Sequence, residues 1–395
     1  MSRARTPPQP SIDLGATAGL PRRRLLQGAA GLAVAGLTRP GRAQSARIVL
    51  GQSAAFTGPA SALGEQFKRG ALLYFDRINA QGGVAGRKIE LQSLDDGYEP
   101  DRCAANTKQL IESGVFALFG YIGTPTSLAA MPLATAAKTP FIAPFTGAEA
   151  LRAPFNRYAL HVRASYFDET AEIVKQVTGV GLKRVGVFHQ NDSYGKAGLD
   201  GVLRALKPLG LEPVGLGTVE RNTVEVGAAV KTLLAGKPDA IVQISAYKSC
   251  AAFIRAARKA GFGGTFYNVS FVGTKALADE LGAEARGVVI SQVMPYPYMP
   301  VTPLAGEYLA AGKAALGDKF EPNYSSIEGY VAAKTLVEGL KRAGNNPTPE
   351  GLITGLESLR ELNLGGFFVD FGPQKHTGSK FVDLTILTAE GKVRR

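Results

Sequence analysis

The sequence of 395 residues has little of several features that mark common classes of protein. It contains two cysteines and three histidines, and beyond its first 43 residues it has no run of lysine or arginine. No uninterrupted apolar stretch reaches the roughly 18 residues that a transmembrane helix needs. These shortages argue against a disulfide-rich scaffold, a nucleic-acid-binding protein and an integral membrane protein. We therefore expect a soluble globular protein, and its length predicts two domains.

The formal charge of +12 is distributed unevenly along the chain. Seven arginines and one aspartate lie in residues 1–43, so half of the excess positive charge belongs to this segment. The rest is spread over a body of mixed charge, which is typical of a solvated surface. We therefore expect no nucleic-acid partner.

Sequence signatures of catalysis are also missing. His161, His189 and His376 are isolated, without an HExxH motif or the paired-cysteine spacing of a zinc site. The chain has no GxSxG elbow, P-loop or GxGxxG fingerprint. One acidic group lacks the spacing of a calcium loop, and we interpret it as a loop whose charges complement the next helix start. Its members are Asp95, Asp96, Glu99 and Asp101. We expect no metal, no cofactor and no enzyme activity.

The two cysteines, Cys103 and Cys250, lie in stretches with the pattern of helices, DRCAANTKQLI and YKSCAAFIRAARKAGF. We predict that both are buried free thiols. A disulfide between them would join the two halves of the chain and prevent their relative motion. Cys103 is also far from the N-terminal segment, which argues against a lipid anchor there.

Residues 1–43 have the three parts of an export signal. The arginines of PRRRLLQ come first, a weakly apolar stretch covers residues 25–37, and a polar segment with Gly41 and Ala43 follows. The arginine pattern resembles the twin-arginine signal that exports folded proteins, and an ordinary secretion signal explains it equally well. We predict that this segment is removed and that the mature protein is soluble in the periplasm.

From residue 47 onward, strand and helix patterns alternate along the chain. Strands such as ARIVLGQS and VFALFGYIG are followed by helices such as GEQFKRGALLYFDRIN and a helix that begins near Leu128. The alternation repeats after residue 168, the strand GVVISQVMPYPYMP leaves its sheet at its prolines, and the C-terminal region predicts two strands around a polar turn. This order predicts an α/β fold with two doubly wound parallel lobes.

Parallel sheets of this kind bind ligands beyond the C-terminal ends of their strands. The hydroxyls of Thr124, Thr126 and Ser127 in GTPTS accompany the backbone N–H groups of a helix start, which suits a carboxylate, although simple helix capping explains them too. Thr146 and Gly147 repeat the pattern in the next loop, PFTGAEA. On the other lobe, two tyrosines follow strands and can close over a ligand, although either can equally be a core or surface residue. They are Tyr194 and Tyr247.

The segments AAFTGPASALGEQFKRGALLYFDRINAQGGVAGRKIELQSLDD, GYIGTPTS, VGVFHQNDSYGKAG and AGFGGTFYNVSFVGTKAL, in this order, resemble the type I periplasmic binding proteins of ABC transporters. The resemblance is to the branched-chain amino acid (Leu/Ile/Val) binding group and covers residues 47–392. It implies two Rossmann-like lobes, joined by three crossover strands near YALHVRA, VISQVMPYP and LGGFFVDFG, that close around the ligand. The N-terminal lobe would comprise residues 47–160 plus 293–358, and the C-terminal lobe residues 161–292 plus 359–392.

The same resemblance implies that the GTPTS and FTGA loops hold the ligand carboxylate and that the two tyrosines match ligand contacts. At the place of the acid that holds an ammonium group in the amino-acid binders, NVSFVG has Ser270. The ligand is therefore either an aliphatic or aromatic carboxylate without an amino group, or an amino acid held by another acid such as Asp192.

The sequence thus predicts a monomeric solute receptor that delivers a small carboxylate-bearing ligand to an inner-membrane ABC permease. Two alternatives remain. One is a ligand sensor with the same lobes that acts on a signalling partner. The other is an enzyme on Rossmann lobes, against which the missing phosphate loop counts.

Overall fold

A computed structural model describes residues 47–395, which lie within one compact unit. The predicted export signal and its cleavage point lie outside the described residues. The first half of the described chain alternates strands and helices, as expected from the sequence. In order, these elements are β1 (Arg47–Ala54), α1 (Ser61–Ala80), β2 (Lys88–Asp95), α2 (Pro100–Glu112), β3 (Ala117–Phe119), α3 (Thr124–Ala136), β4 (Phe141–Ile142) and β5 (Ala159–Leu160). The strands form a parallel sheet in the order β2-β1-β3-β4-β5.

The alternation continues through the second half. Its elements are α4 (Tyr166–Gly179), β6 (Val185–Gln190), α5 (Ser193–Leu206), β7 (Gly215–Val219), α6 (Gly227–Ala235), β8 (Ala240–Ile244), α7 (Tyr247–Lys259), β9 (Thr265–Asn268), α8 (Thr274–Leu281) and β10 (Val289–Gln292). These five strands pair in parallel, in the order β10-β9-β8-β6-β7. The C-terminal ends of strands in both sheets thus carry the loops from which a ligand site was expected.

The C-terminal region adds helices to the first sheet and strands to the second. Its elements are α9 (Pro303–Leu316), α10 (Tyr324–Arg342), α11 (Pro349–Glu357), β11 (Leu362–Asn363), β12 (Phe368–Val369), β13 (Asp383–Leu387) and β14 (Val393–Arg394). Helix α10 packs directly on α1. The two backbones are so close at Gly70 that an added Cβ there would lie 1.7 Å from Ser326 O. The two predicted C-terminal strands exist but do not pair with each other: β12 pairs with β11, and β13 lies antiparallel between β10 and β14.

Within residues 47–395 the chain passes between the two sheet regions three times, as the resemblance implied. These passages are residues 161–165, 293–302 and 370–382. The first and third lie side by side, since His161 N donates to His376 O at 2.8 Å and Gly378 N donates to His161 O at 2.7 Å. The fold class is therefore confirmed, whereas the exact division of the chain between the two lobes stays a prediction.

Two features of the helices bear on the sequence analysis. Helix α3 begins at Thr124, four residues before Leu128, because Gly123 adopts a positive φ of 97° and Pro125 suits the first turn of a helix. Cys103 in α2 and Cys250 in α7 are both buried and free, as predicted. No helix in residues 47–395 combines the length and the apolar character needed to cross a membrane.

Candidate functional site

The two hydroxyl-rich loops of the first sheet meet, as the sequence predicted. Strands β3 and β4 are parallel neighbours, and the bridge between Ile122 and Phe145 extends their pairing into the following loops. As a result, Thr124 Oγ1 lies 2.6 Å from Thr146 Oγ1, and both side chains are fully buried. The first turn of α3 and the loop after β4 therefore form one polar surface.

The hydroxyls in the first turn of α3 differ in what they bind. Thr126 Oγ1 donates back to Ile122 O and to Gly123 O, so this hydroxyl is satisfied by the local backbone. Ser127 Oγ is buried, and within residues 47–395 it has no hydrogen-bond partner. Buried hydroxyls without partners are rare in proteins, so Ser127 is the member of this turn that is best placed to bind a ligand.

Gly147 has a packing role at this site. Its carbonyl oxygen accepts a hydrogen bond from Tyr166 N at 2.7 Å, and an added Cβ would lie 2.6 Å from that nitrogen. Thr146 Oγ1 in turn donates to Tyr166 Oη at 3.4 Å. A residue with no side chain at position 147 therefore lets the start of α4, which covers the second sheet, reach the loop after β4.

Aromatic rings from both sheets meet at Phe271, which follows β9. Its ring centroid lies 4.6 Å from that of Tyr194 on the second sheet, 5.6 Å from Phe145 and 5.9 Å from Tyr98 on the first. The Tyr194 hydroxyl is buried and, in the described part of the chain, unpaired. Burial raises the pKa of Tyr194 well above its ordinary value, so the hydroxyl stays protonated and able to donate.

Tyr247, the other predicted tyrosine, is the first residue of α7 and is buried. It lies after β8, where the sequence placed it, but it is not one of the three rings that contact Phe271 as described above. Its role in ligand binding stays a prediction.

Ser270 is held by a glutamate that the sequence analysis did not identify. Ser270 N donates to Glu169 Oε2 at 2.7 Å, and Ser270 Oγ donates to Glu169 Oε1 at 3.0 Å. Ser291 Oγ also donates to Glu169 Oε2, and Arg163 Nη2 lies 3.3 Å from Oε1. Each carboxylate oxygen of Glu169 thus accepts two hydrogen bonds, all from the protein itself.

Arg163 connects this glutamate to the first-sheet side of the molecule. Its guanidinium contacts the Ser270 hydroxyl, lies 4.8 Å above the ring of Phe145, and reaches to 3.5 Å from Glu328 on α10. We call Arg163, Glu169 and Glu328 the buried cluster, since their side chains are at most 7% exposed. Among residues 47–395, Arg163 Nε and Nη1 have no hydrogen-bond partner.

The pKa values in the buried cluster reflect its isolation from water. Burial raises the pKa of Glu328 to about 7, against the opposing effect of Arg163. Burial alone would lower the pKa of Arg163, but Glu328 and Glu169 outweigh it and the pKa is raised. Arg163 therefore stays charged, whereas Glu328 is partly protonated near neutral pH.

A second group of polar side chains joins the loop after β2 to loops of the second sheet. Glu99 contacts Arg221 at 2.8 Å and Asn222 at 2.7 Å, and Arg221 Nη1 lies 3.3 Å from Asp192. We call Glu99, Asp192, Arg221 and Asn222 the rim cluster. Beside it, Gln190 Nε2 lies 3.5 Å from Tyr98 Oη. The sequence analysis interprets the acidic loop before α2 as one that complements the helix start. Glu99 directly precedes α2, but its side chain makes no capping hydrogen bond there and instead reaches across to the second sheet region.

Asp192, which the sequence analysis considered as a partner for an ammonium group, is already engaged. Its Oδ1 accepts from Tyr194 N at 2.9 Å and Gly195 N at 3.3 Å, which caps α5. Its Oδ2 accepts from Gln190 Nε2 at 2.6 Å and from Arg221 Nη1 at 3.3 Å.

Two open cavities lie apart from the predicted site residues. One of about 510 Å³ lies beside α8 and β14, and one of about 220 Å³ lies beside the paired first and third passages. None of the eight predicted residues lines either of these two cavities. Several side chains of the candidate site instead contact one another, such as Thr124 with Thr146 and Tyr194 with Phe271.

The structure thus brings most of the predicted residues together and adds others. Thr124, Thr146 and Gly147 join across two loops, and Tyr194 and Ser270 approach them from the other sheet. The residues that the sequence analysis missed are Tyr98, Arg163, Tyr166, Glu169, Phe271 and Glu328. Tyr98 lies in the loop after β2, three residues beyond its end, so the rule that selected the other loops could have found it.

Comparison with known proteins agrees with this fold. Residues 47–392 match the model of a periplasmic binding protein family. A Leu/Ile/Val-binding protein homolog 8 from Brucella suis biovar 1 (strain 1330) is 25% identical over 371 residues, which cover 88% of this chain and 90% of that protein.

Solved structures resemble the chain over a similar length. A possible leucine/isoleucine/valine-binding protein from Rhodopirellula baltica SH 1 has a TM-score of 0.85 and 35% identity, covering 89% of this chain and 96% of its own. A substrate-binding periplasmic protein from Ralstonia solanacearum has a TM-score of 0.82 and 32% identity, covering 88% and 99%.

Proposed function

Because the chain belongs to the periplasmic binding protein family, we propose that it is an exported receptor for a small carboxylate-bearing molecule. The ligand is held between the two lobes and delivered to an ABC permease of the inner membrane. It is bound without being chemically changed. The ligand is either an amino acid or an aliphatic or aromatic carboxylate.

The observation that supports this proposal is a pair of buried hydroxyls from opposite sheets. Within the described residues, Ser127 Oγ and Tyr194 Oη have no hydrogen-bond partner in the protein. A carboxylate accepts hydrogen bonds at both oxygens, which makes it a suitable partner for buried hydroxyls of this kind. The first turn of α3 adds backbone N–H groups and the positive end of the helix dipole.

The export and transport parts of the proposal have their own support. The relatives named above include periplasmic and Leu/Ile/Val-binding proteins. The arginines and apolar stretch within residues 1–43 are typical of an export signal. We propose that the mature protein acts as a monomer and presents faces of both lobes to the permease.

Thermal unfolding of the purified protein with matched ligands tests the proposal. Leucine and 4-methylpentanoate carry a carboxylate, and leucinamide and 4-methylpentanamide replace it with a neutral amide of similar shape. A ligand that binds the folded state raises the melting temperature by mass action. We expect at least one acid to raise it and its amide to have a much smaller effect.

A substitution at Ser127 tests whether the carboxylate of the ligand binds at the predicted hydroxyls. Ser127→Ala should weaken binding of the active acid by about tenfold, which corresponds to the loss of one hydrogen bond to a charged group. Ser113→Ala, at the end of α2, removes a hydroxyl that donates to Leu110 O and should leave binding unchanged. Equal stabilisation by an acid and its amide would contradict the proposal.

A further inference from the structure

The arrangement of charges beside Ser270 bears on whether the ligand carries an amino group. A buried ammonium group has three hydrogen atoms and needs oxygen acceptors, preferably a carboxylate with an unused lone pair. Three acids contact Ser270, Tyr194 and Arg163, and they are Glu169, Asp192 and Glu328, respectively. What each of them already binds therefore decides whether an ammonium group can be held.

Glu169 has no acceptor capacity left. A carboxylate has about four lone-pair sites. Two at Oε2 are filled by Ser270 N and Ser291 Oγ, and two at Oε1 are filled by Ser270 Oγ and Arg163 Nη2. An ammonium group could bind Glu169 only by displacing a buried donor, which would then lose its own partner.

Asp192 is filled in the same way. Two backbone N–H groups of α5 occupy Oδ1, and Gln190 Nε2 and Arg221 Nη1 occupy Oδ2. The capping bonds also hold Tyr194, whose ring contacts Phe271. Asp192 is therefore a structural acid and does not offer an open position to a ligand.

Arg163 presents the opposite situation, because it has hydrogen-bond donors to spare. Its side chain is 1% exposed, and among residues 47–395 neither Nε nor Nη1 has a hydrogen-bond acceptor. These atoms carry three of the five N–H groups of a guanidinium. The group lies against Phe145, the neighbour of Thr146, and contacts the Ser270 hydroxyl.

Glu328 does not change this excess of hydrogen-bond donors over open acceptors. Its carboxylate lies 3.5 Å from Arg163 Nη1, outside hydrogen-bonding geometry but close enough for an ion pair. It already faces a guanidinium and is partly protonated near neutral pH, so it offers an ammonium group only part of a negative charge. A ligand ammonium group would compete with that guanidinium for the same acid and would add a second positive charge beside it.

From these contacts we infer that the ligand is a carboxylate without an amino group, and that Arg163 donates hydrogen bonds to one of its oxygens. This inference rests on the proposed function and narrows it from carboxylates in general to one class. The unused N–H groups of Arg163 then gain an acceptor, while Glu169 keeps all four of its donors. Arg163 acts as the specificity-determining residue of the site.

Calorimetric titration of the wild-type protein with acids that differ only in the amino group tests the inference directly. The pairs are leucine and 4-methylpentanoate, valine and 3-methylbutanoate, and phenylalanine and 3-phenylpropanoate. We expect the tightest-binding member of the set to lack the amino group and to bind at least about tenfold more tightly than its amino-acid partner. No variant is needed for this measurement.

Arg163→Lys tests the assigned residue. Lysine keeps a positive charge for Glu169 but lacks the Nε–H and the planar fork of the guanidinium. We expect Arg163→Lys to weaken binding of the amino-free acid by about tenfold. The ratio of its affinity to that of the matching amino acid should fall as well. Arg157→Lys is the control, because Arg157 is 42% exposed and pairs with Glu357 away from the site.

The outcomes separate the inference from the proposed function. Preferential binding of an amino acid, or an unchanged preference in Arg163→Lys, would overturn the inference and leave a carboxylate receptor. Binding of no acid in either series would overturn both. A purely structural role for Arg163 would lower stability in Arg163→Lys without changing the ratio of the two affinities, and this also counts against the inference.

Discussion

The buried cluster and the rim cluster use the same kinds of side chain to join the same two parts of the molecule, but they differ in their contact with water. Arg163 and Glu169 are at most 1% exposed, whereas Arg221 and Glu99 are 24% and 41% exposed. The contact distances do not indicate which ion pair contributes more to stability, since the Arg163–Glu169 contact of 3.3 Å is longer than the Arg221–Glu99 contact of 2.8 Å.

The difference teaches that burial, rather than distance, decides what an ion pair contributes. A buried pair is costly to break, because removal of one partner leaves a charge without water or counter-charge. An exposed pair contributes little, because water and salt screen it and replace its hydrogen bonds. The buried cluster should therefore dominate stability, and the rim cluster should act mainly on how the two lobes meet.

Glu169→Gln should have the largest effect. It leaves Arg163 buried without its closest negative partner, and it turns one oxygen that accepts hydrogen bonds into an amide that faces donors. We expect the free energy of unfolding to fall by about 3–5 kcal/mol. Urea unfolding at neutral pH measures this loss.

The matched control is Glu172→Gln on the same helix. Glu172 is partly exposed, at 37% of its side chain, and pairs with Lys175 at 3.1 Å. We expect a change of no more than about 0.5 kcal/mol. Similar losses for the two variants would mean that burial does not set the strength of these pairs.

Glu328→Gln should have the next largest effect, and this effect should depend on pH. The pKa of Glu328 is about 7 in the folded protein and ordinarily 4.5, so between these values the folded state binds more protons than the unfolded state. Stability from this group is thus fully present below pH 4.5 and is lost as pH rises through 7. Relative to Glu328→Gln, the wild type should lose on the order of 3 kcal/mol between pH 4 and pH 8.

Glu338→Gln, further along α10, is the control with the opposite sign. Although partial burial raises the pKa of Glu338, its hydrogen bonds and charge pairing with Lys341 and Arg342 outweigh this effect and hold the pKa below its ordinary value. Stability from Glu338 is therefore present above the ordinary pKa and is lost as pH falls. Chemical unfolding of the wild type and both variants across this pH range gives the two slopes. Slopes of the same sign would show that burial does not control the pKa of Glu328.

Arg221→Met, in the rim cluster, should have the smallest effect on stability. We expect a loss of less than about 1 kcal/mol, which shrinks in about 1 M salt because the screening length falls to about 3 Å. Because Arg221 joins loops of both lobes, the affinity for an active acid should fall as well. Unfolding and titration at two salt concentrations measure both quantities.

Arg102→Met separates the effect on stability from the effect on ligand affinity. Arg102 is 53% exposed and pairs with Asp95 at 2.9 Å, and both residues lie beside the first sheet. It should match Arg221→Met in stability but leave the affinity unchanged. If Arg221→Met instead costs as much stability as Glu169→Gln, the rim cluster is not the weaker of the two.

The sequence predicted those parts of the molecule in which the deciding interactions are local. Alternating strand and helix patterns identified most elements of both sheets but not β5 or β14, and Thr124 and Thr146 lie after strands, as the sequence indicated. The pairing of β13 was not predictable in the same way. Its partner β10 ends 91 residues before β13 begins along the printed sequence, and no turn connects the two.

The buried cluster was missed for the same physical reason. Arg163 lies in a passage between the lobes, and Glu169 lies in the first turn of α4, where an acid ordinarily complements the helix dipole. The contact between Glu169 and Ser270 spans 101 residues. Only the folded chain shows that an acid of α4 binds Ser270.

The two cysteines lead to a practical use of the protein. Cys103 and Cys250 are fully buried, and burial raises the pKa of both thiols, so neither readily forms the reactive thiolate. A single cysteine introduced at the rim, for example in place of Asn222, would thus be the preferred site for attachment of an environment-sensitive dye. The chain is therefore suited to conversion into a reagentless fluorescent biosensor for its own ligand, without removal of its native thiols.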